Sequence, residues 1–221
     1  MRERPVVREV PGTGRPALVW NLPRPLRCVA TTVLGGGIGE RAWIANVTVP
    51  LDYDHPDPAR DAADLALALG CHGQGCCFLT GVDVRRFTYA EDAGVEAFAT
   101  VGLRAVTWAA DDHGGYTEWR PGTINCVVFV PAPLSDAALV NLVSTATEAK
   151  VQALLERQVP GTGTASDALA VCALSGPIVD SAHDYGGPRS LWGARVGRAV
   201  RQAVAAGIRR RSTKDPSRSR T

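Results

Sequence analysis

A chain of 221 residues holds one large domain or two small ones, and its 45% hydrophobic content supports a packed core. A net charge of +2 excludes a strongly basic nucleic-acid footprint over the body of the chain, and no run approaches the roughly 18 consecutive apolar residues of a membrane-spanning helix. The first dozen residues are charged and contain proline, with no apolar run to serve as a signal peptide, so a soluble cytoplasmic protein is expected, its six cysteines (28, 71, 76, 77, 126 and 172) free thiols.

Residues 1–16 read as an N-terminal extension, 17–208 as the folded domain and 209–221 as a disordered basic tail. The tail carries Arg, Ser, Thr and Pro without apolar anchors or aromatics, which argues against a nucleic-acid or membrane role. Two short strands are expected at Ala17–Trp20 and Arg27–Val33, broken apart by Pro23 and Pro25. The glycines of 35–37 and Gly39 then make a turn. Glu40 stands where a dinucleotide fingerprint needs its third glycine. The turn is either a hairpin connection or a backbone loop brought close to a ligand.

Residues 42–49 alternate, with Trp43, Ala45, Val47 and Val49 on one face and Ala42, Ile44, Asn46 and Thr48 on the other. Asn46 is a polar group in an apolar strand; its amide is either a satisfied core group or an oxyanion donor. The acidic loop 50–58 lacks the oxygen spacing of a calcium site. Asp57 and Pro58 start a helix that Gly70 stops. Cys71, His72, Cys76 and Cys77 have no second ligand pair, so they read as a glycine turn and a buried strand rather than a zinc site. Asp83–Arg86 form a loop or helical turn, Ala97–Trp108 a segment interrupted by Gly102, and 111–121 a loop containing Gly114 and Gly115.

Ile124–Val130 is a nearly continuous apolar run, as in a strand covered on both faces and ended by Pro131 and Pro133. Ser135 caps the longest helix, Asp136 to about Gln158. Its apolar stripe is Leu139, Leu142, Val143, Ala146, Ala153 and Leu154. At roughly 100° per residue, Lys150 falls inside that stripe and Glu148 on the opposite side. A lysine there either snorkels to an edge, borders a pocket, or pairs with an acid such as Asp167. Residues 161–167 form a small-residue turn that is either ordinary or a cradle of backbone amides, leading to the strand Ala168–Leu174. A loop at 175–188 holds His183, and a last helix spans about Leu191–Ala206. The pattern is a single α/β domain, α+β-like, with mixed sheets covered by helices and too few βαβ units for a doubly wound sheet.

Four motifs in order, Gly-Thr-Ile-Asn (122–125), Ala-Pro-Leu-Ser-Asp (132–136), Ala-Thr-Glu-Ala-Lys (146–150) and Gly-Thr-Gly-Thr-Ala-Ser-Asp-Ala (161–168), resemble the adenosylcobinamide amidohydrolases. The likeness covers most of 26–206, with further support from the glycine turn, Asn46, Val49-Pro50 and residues 53–56. It departs in the short link from Gln158 to Gly161 and in the basic tail. The resemblance implies hydrolysis of the amide joining aminopropanol to the corrin ring of adenosylcobinamide, giving adenosylcobyric acid in cobamide salvage. Cobalt arrives within the corrinoid substrate, so no protein-bound metal or cofactor is expected; a non-catalytic corrinoid carrier or sensor is the alternative. The sequence leaves self-association open.

Gly122-Thr123, an apolar strand, Ala-Pro-Leu, a helix and a glycine-rich turn with an acid carry a second likeness. They are similar to the self-processing aminopeptidases related to ornithine acetyltransferase, which implies a similar sandwich. By that analogy Thr123 is the nucleophile. Asn46 and backbone amides near Gly36 and Gly37 stabilise the oxyanion, and Lys150 or Asp167 relays the proton. Asp167 or Glu148 as general base for an attacking water is the competing mechanism. Asn125, Thr162, Thr164 and Ser166 are expected to line the substrate site. The chain is expected to stay intact between Gly122 and Thr123.

Overall fold

The computed structural model describes residues 4–112, 122–178, 180 and 184–212. Its elements in chain order are β1 (Val6–Glu9), β2 (Pro16–Ala30), β3 (Gly37–Thr48), α1 (Pro58–Ala68), β4 (Gly75–Thr80), a 3-10 turn at Val84–Arg86, β5 (Thr88–Asp92), β6 (Val95–Val101), β7 (Val106–Thr107), β8 (Ile124–Pro133), α2 (Asp136–Leu155), β9 (Gly163–Thr164), β10 (Ala168–Leu174) and α3 (Leu191–Ser212). One sheet runs β4-β3-β2-β10-β8-β6-β5, with β1 added to β2, and β7 pairs with β9 in a separate ribbon. Two pairs are parallel, β3 with β4 and β8 with β10, and each is bridged by a helix, α1 and α2 respectively. The other neighbours are antiparallel.

Side-chain alternation decides how these elements stack. On β8, Cys126, Val128 and Val130 face α2 and α3, while Val127 and Phe129 turn to the opposite side. There they meet Trp20 of β2, Ile44 of β3 and Phe78 of β4. On β3, Trp43, Ala45 and Val47 pack beneath α1 instead. The sheet therefore folds over itself, one half covering the other, with helices on both outer faces. Trp20, Phe98 and Phe129 fill the interior with ring centroids 5.4 to 6.2 Å apart. This is the mixed α/β sandwich that the sequence implies.

The helices begin where local chemistry says they should. Asp57 accepts a hydrogen bond from Arg60 N ahead of Pro58, and Ser135 accepts one from Ala138 N. Other boundaries move. β2 is one strand rather than two, because Pro23 and Pro25 sit in an exposed register shift between Asn21 and Leu26. Pro131 does not end β8, which runs on to Pro133: pairing with β6 stops at Phe129, so the missing N–H groups of both prolines leave no ladder bond unmade on that side. β1 pairs with β2 from within the expected extension, and β5 falls where no element was expected. α2 ends at Leu155, short of Gln158, whose φ of 56° is left-handed. α3 continues to Ser212, past the expected end at Ala206 and into the expected tail; residues 213–221, Gly114, Gly115 and His183 lie outside the described residues.

The cysteine expectation is corrected in one pair. Cys28 and Cys172 lie directly opposite in the β2–β10 register, with Cα atoms 4.2 Å apart, and form a disulfide; Cys71, Cys76, Cys77 and Cys126 are buried free thiols. Strand register brings the pair together over a separation of 144 residues.

One end of the sheet gathers the start of β8, the start of β10, the end of β6 and the β2–β3 turn. Asn125 pairs with both Ala168 and Thr100, and Ala30 pairs with both Ala170 and Gly37.

Candidate functional site

Thr123 and Gly122 sit just before β8, buried against the segment that leaves β6. Gly102 N donates to Thr123 O at 2.9 Å. A Cβ on Gly102 would press on the backbone of Thr123, and one on Gly122 would press on Ala105 N, so glycine lets the two segments approach. Opposite them lies the 161–167 turn, held by the β7–β9 ribbon and by Thr162 N donating to Thr107 O at 2.9 Å.

The two segments meet through side chains. Thr123 Oγ1 lies 2.9 Å from Ser166 Oγ. Thr123 is buried at 6% exposure and Ser166 is exposed, so the hydroxyl pair lies at the boundary between interior and solvent. Ser166 Oγ also donates to Gly122 O at 3.2 Å. Thr164 Oγ1 lies 2.7 Å from Gly122 O and 2.6 Å from Asp167 Oδ1, so two acceptors compete for one hydroxyl hydrogen.

Asp167 is the hub. Its Oδ1 accepts from Ile124 N at 2.9 Å, and its Oδ2 accepts from Thr164 N at 3.2 Å and from Lys150 Nζ at 2.6 Å. Lys150 comes from the apolar stripe of α2, and pairing with Asp167 is how that stripe accommodates a cation. A Cβ at Gly163 would collide with both Asp167 Oδ2 and Lys150 Nζ, so a larger residue there has to displace the pair.

A second polar network adjoins the first two residues along β8. Asn125, on the inner face, donates from Nδ2 to Asn46 Oδ1 at 3.1 Å and to Leu79 O at 3.1 Å. Asn46 Nδ2 donates to Thr100 Oγ1 at 3.1 Å. Asn46 and Asn125 are each 2% exposed, and Asn125 Oδ1 is buried without a hydrogen-bond partner among the described residues. An unpaired buried acceptor carries a desolvation cost that a ligand N–H could offset.

The fold thus brings Thr123, Lys150, Thr164, Ser166 and Asp167 into one hydrogen-bonded group, with Asn46 and Asn125 beside it. Three expected site features stand apart. Glu148 is exposed and borders a groove between α2 and α3 with Gln152 and Arg201. Thr162 accepts from Ala109 N at 2.8 Å and serves the loop. Gly36 and Gly37 lie in the exposed β2–β3 turn at the same end of the sheet, with no hydrogen bond to the group. Thr100 escaped the sequence reading. It is a polar residue on the inner face of an apolar strand, the same signal that singled out Asn46.

Chemically the group offers a hydroxyl, an ammonium and a carboxylate. Asp167 has no hydrogen bond to Thr123, and its oxygens are committed to Lys150, Ile124 and Thr164. Cys126, the next outward residue on β8, is no thiolate nucleophile: burial, and then the nearby Asp167 charge, push its thiol up to about 12. Cys76 is likewise pushed up to about 12 by burial. Among the described residues no cluster of three or more His, Cys, Asp or Glu is arranged to hold a metal ion.

Comparison with known proteins places these residues in a family. A family model described as adenosylcobinamide amidohydrolase matches residues 2–216. The chain is 31% identical over 186 residues to an adenosylcobinamide amidohydrolase of Methanosarcina mazei, covering 80% of this chain and 88% of that protein. It is 32% identical over 184 residues to one of Halobacterium salinarum, covering 80% and 77%. Among solved structures, the PH0078 protein of Pyrococcus horikoshii OT3 is loosely similar, with a TM-score of 0.46 and 11% identity over 94% of this chain and 81% of that one.

Proposed function

This chain belongs to the adenosylcobinamide amidohydrolase family, and from that premise we propose that it hydrolyses the amide joining the aminopropanol arm to the corrin ring of adenosylcobinamide. The products are adenosylcobyric acid, available for cobamide salvage, and aminopropanol. The observation that carries the site assignment is the Thr123–Ser166 hydroxyl pair, 2.9 Å apart at the head of β8 and beside the Lys150–Asp167 pair.

In this reading Thr123 Oγ1 attacks the amide carbonyl, and Ser166 orients the attacking hydroxyl. Aminopropanol leaves with a proton on its nitrogen, and water then hydrolyses the ester on Thr123. Asp167 anchors Lys150 and the amide of Ile124, and so holds Thr123 at the turn. Asn46 Nδ2 has two N–H groups and gives one to Thr100, which leaves the other for the developing oxyanion. Water attack with Glu148 as base is disfavoured by the exposure of Glu148 on the outer side of α2.

The test is incubation of wild-type protein and Thr123→Ala with adenosylcobinamide, followed by chromatography of the corrinoid and of released aminopropanol. Wild type should yield adenosylcobyric acid and the variant should not. Full activity in Thr123→Ala removes the nucleophile role. Tight corrinoid binding by wild type without release of aminopropanol would favour the carrier or sensor reading instead.

A further inference from the structure

On the opposite outer face of the sandwich, Arg41 is buried at 7% exposure with no acidic partner among the described residues. Its Nε and Nη2 donate to Gly35 O at 3.1 and 2.7 Å, its Nη1 to Glu40 O at 2.9 Å, and Nη2 makes a longer bond to Gly36 O at 3.4 Å. All of these acceptors are main-chain carbonyls. They take four of the five guanidinium N–H groups, leave one on Nη1 for a further acceptor, and supply no negative charge to the cation.

Arg41 is among the residues that line a cavity of about 530 Å³ between α1 and the β2–β3 and α1–β4 turns. Trp43, Leu34, Ala66 and Leu67 give the cavity apolar walls, His72 and Gln74 stand with Arg41 among its lining residues, and no described Asp or Glu lines it. Its walls are built at close quarters. A Cβ on Gly39 would collide with Arg41 Nη1, one on Gly75 with the Trp43 ring, and one on Gly35 with Gly75 O. The glycine turn is a hairpin connection, but a hairpin alone does not require glycine where Arg41 and Trp43 need the space.

We propose that this cavity binds a small organic anion, with a carboxylate on Arg41 and an apolar body against Trp43 and Leu67. The charge of Arg41 selects the anion, the missing counter-ion makes the interaction favourable, and the apolar walls select for a hydrocarbon or aromatic body over a bare inorganic ion. The site does not depend on the hydrolytic assignment, since it shares no residue with the Thr123 group.

The test is titration of the wild-type protein with sodium benzoate and with neutral benzamide, followed by tryptophan fluorescence, in a background of constant chloride. Benzoate should bind saturably and at least about tenfold more tightly than benzamide, as charge-assisted hydrogen bonding requires. Arg41→Gln should erase that preference. Should this variant fail to fold, Leu67→Glu decides: Leu67 is an exposed helical residue, and replacing it removes apolar wall from both probes while its carboxylate repels only the anion, so benzoate should weaken more than benzamide. Equal affinity for the two probes, or no saturable binding of benzoate, overturns the proposal. So does benzoate binding that ignores Leu67→Glu, which would place the anion elsewhere, for instance at Lys150.

Discussion

Lys150 Nζ lies 2.6 Å from Asp167 Oδ2, with the two side chains 14% and 13% exposed. The pair joins the long helix to the turn before β10. Removing one partner strands a charge in the interior. Lys150→Met should therefore cost about 3 kcal/mol in urea unfolding, and the double variant Lys150→Met/Asp167→Asn less than the sum of the singles. Gly163→Ala should mimic part of this loss by forcing the pair apart, although it removes no polar group. A Gly163→Ala protein as stable and active as wild type would refute that close packing.

For Thr123, the conservative replacement separates chemistry from packing. Thr123→Ser keeps the hydroxyl and should retain measurable turnover. Thr123→Ala should lose on the order of 10⁴-fold or more in kcat while still binding the corrinoid. Intact mass spectrometry of the purified chain should show one species of 23.3 kDa. Two fragments summing to that mass with a break at Gly122-Thr123 would overturn the expectation of an intact chain.

Asn46 makes a separable contribution. If its second amide hydrogen meets the oxyanion, Asn46→Ala should lower kcat by about 10²–10³ with KM less changed. Thr100→Val, which removes only the acceptor that orients Asn46, should show a smaller loss of the same kind. An Asn46→Ala variant that is merely less stable, with unaltered kcat at low temperature, would make the network a core feature only.

The Cys28–Cys172 bond predicts a thiol count. Alkylation of the unfolded, unreduced chain should label four cysteines (Cys71, Cys76, Cys77 and Cys126), and labelling of six would contradict the bond. By loop-closure entropy across a separation of 144 residues, the double variant Cys28→Ser/Cys172→Ser should lose up to about 5 kcal/mol, and a reductant should destabilise wild type but not the variant.

Acid should loosen the outer helices first. The Arg198 guanidinium, hydrogen-bonded to Asp92, holds that carboxyl below its ordinary range, and Arg201 does the same for Glu156. A depressed folded-state value contributes stability that is fully present above the unfolded carboxylate range, near pH 4, and is lost as pH falls through the depressed value. Asp92→Asn should be less stable than wild type at pH 7, and the difference should shrink below about pH 4. A constant difference across that range would show that the pair does not titrate with folding.

Much of the fold was readable from local pattern. Asp57-Pro58 and Ser135 mark helix starts that need only their own neighbours, and the apolar run from Ile124 is a strand buried on both faces wherever it is placed. Lys150 inside an apolar stripe leaves snorkelling, a pocket edge or an acidic partner open, and the fold selects the partner, Asp167. Pro23 and Pro131 misled, because whether a proline breaks a strand depends on whether the adjacent strand still needs an N–H at that point. Glu148, inside the motif at 146–150, is a candidate base for an attacking water by sequence, and its exposed position at the α2–α3 groove leaves it outside the hydrogen-bonded Thr123 group.

By itself the amino-acid sequence determined the order and kind of most elements, the family motifs and the polar residues out of place in apolar segments. These depend on periodicity and capping, which act over a few residues. Tertiary structure alone decided that Cys28 meets Cys172, that Asn46 meets Asn125 and Thr100, and that Arg41 is enclosed without an acid among the described residues. Those meetings depend on strand register and on the folding of one sheet over itself, where a shift of one residue turns every side chain to the other face.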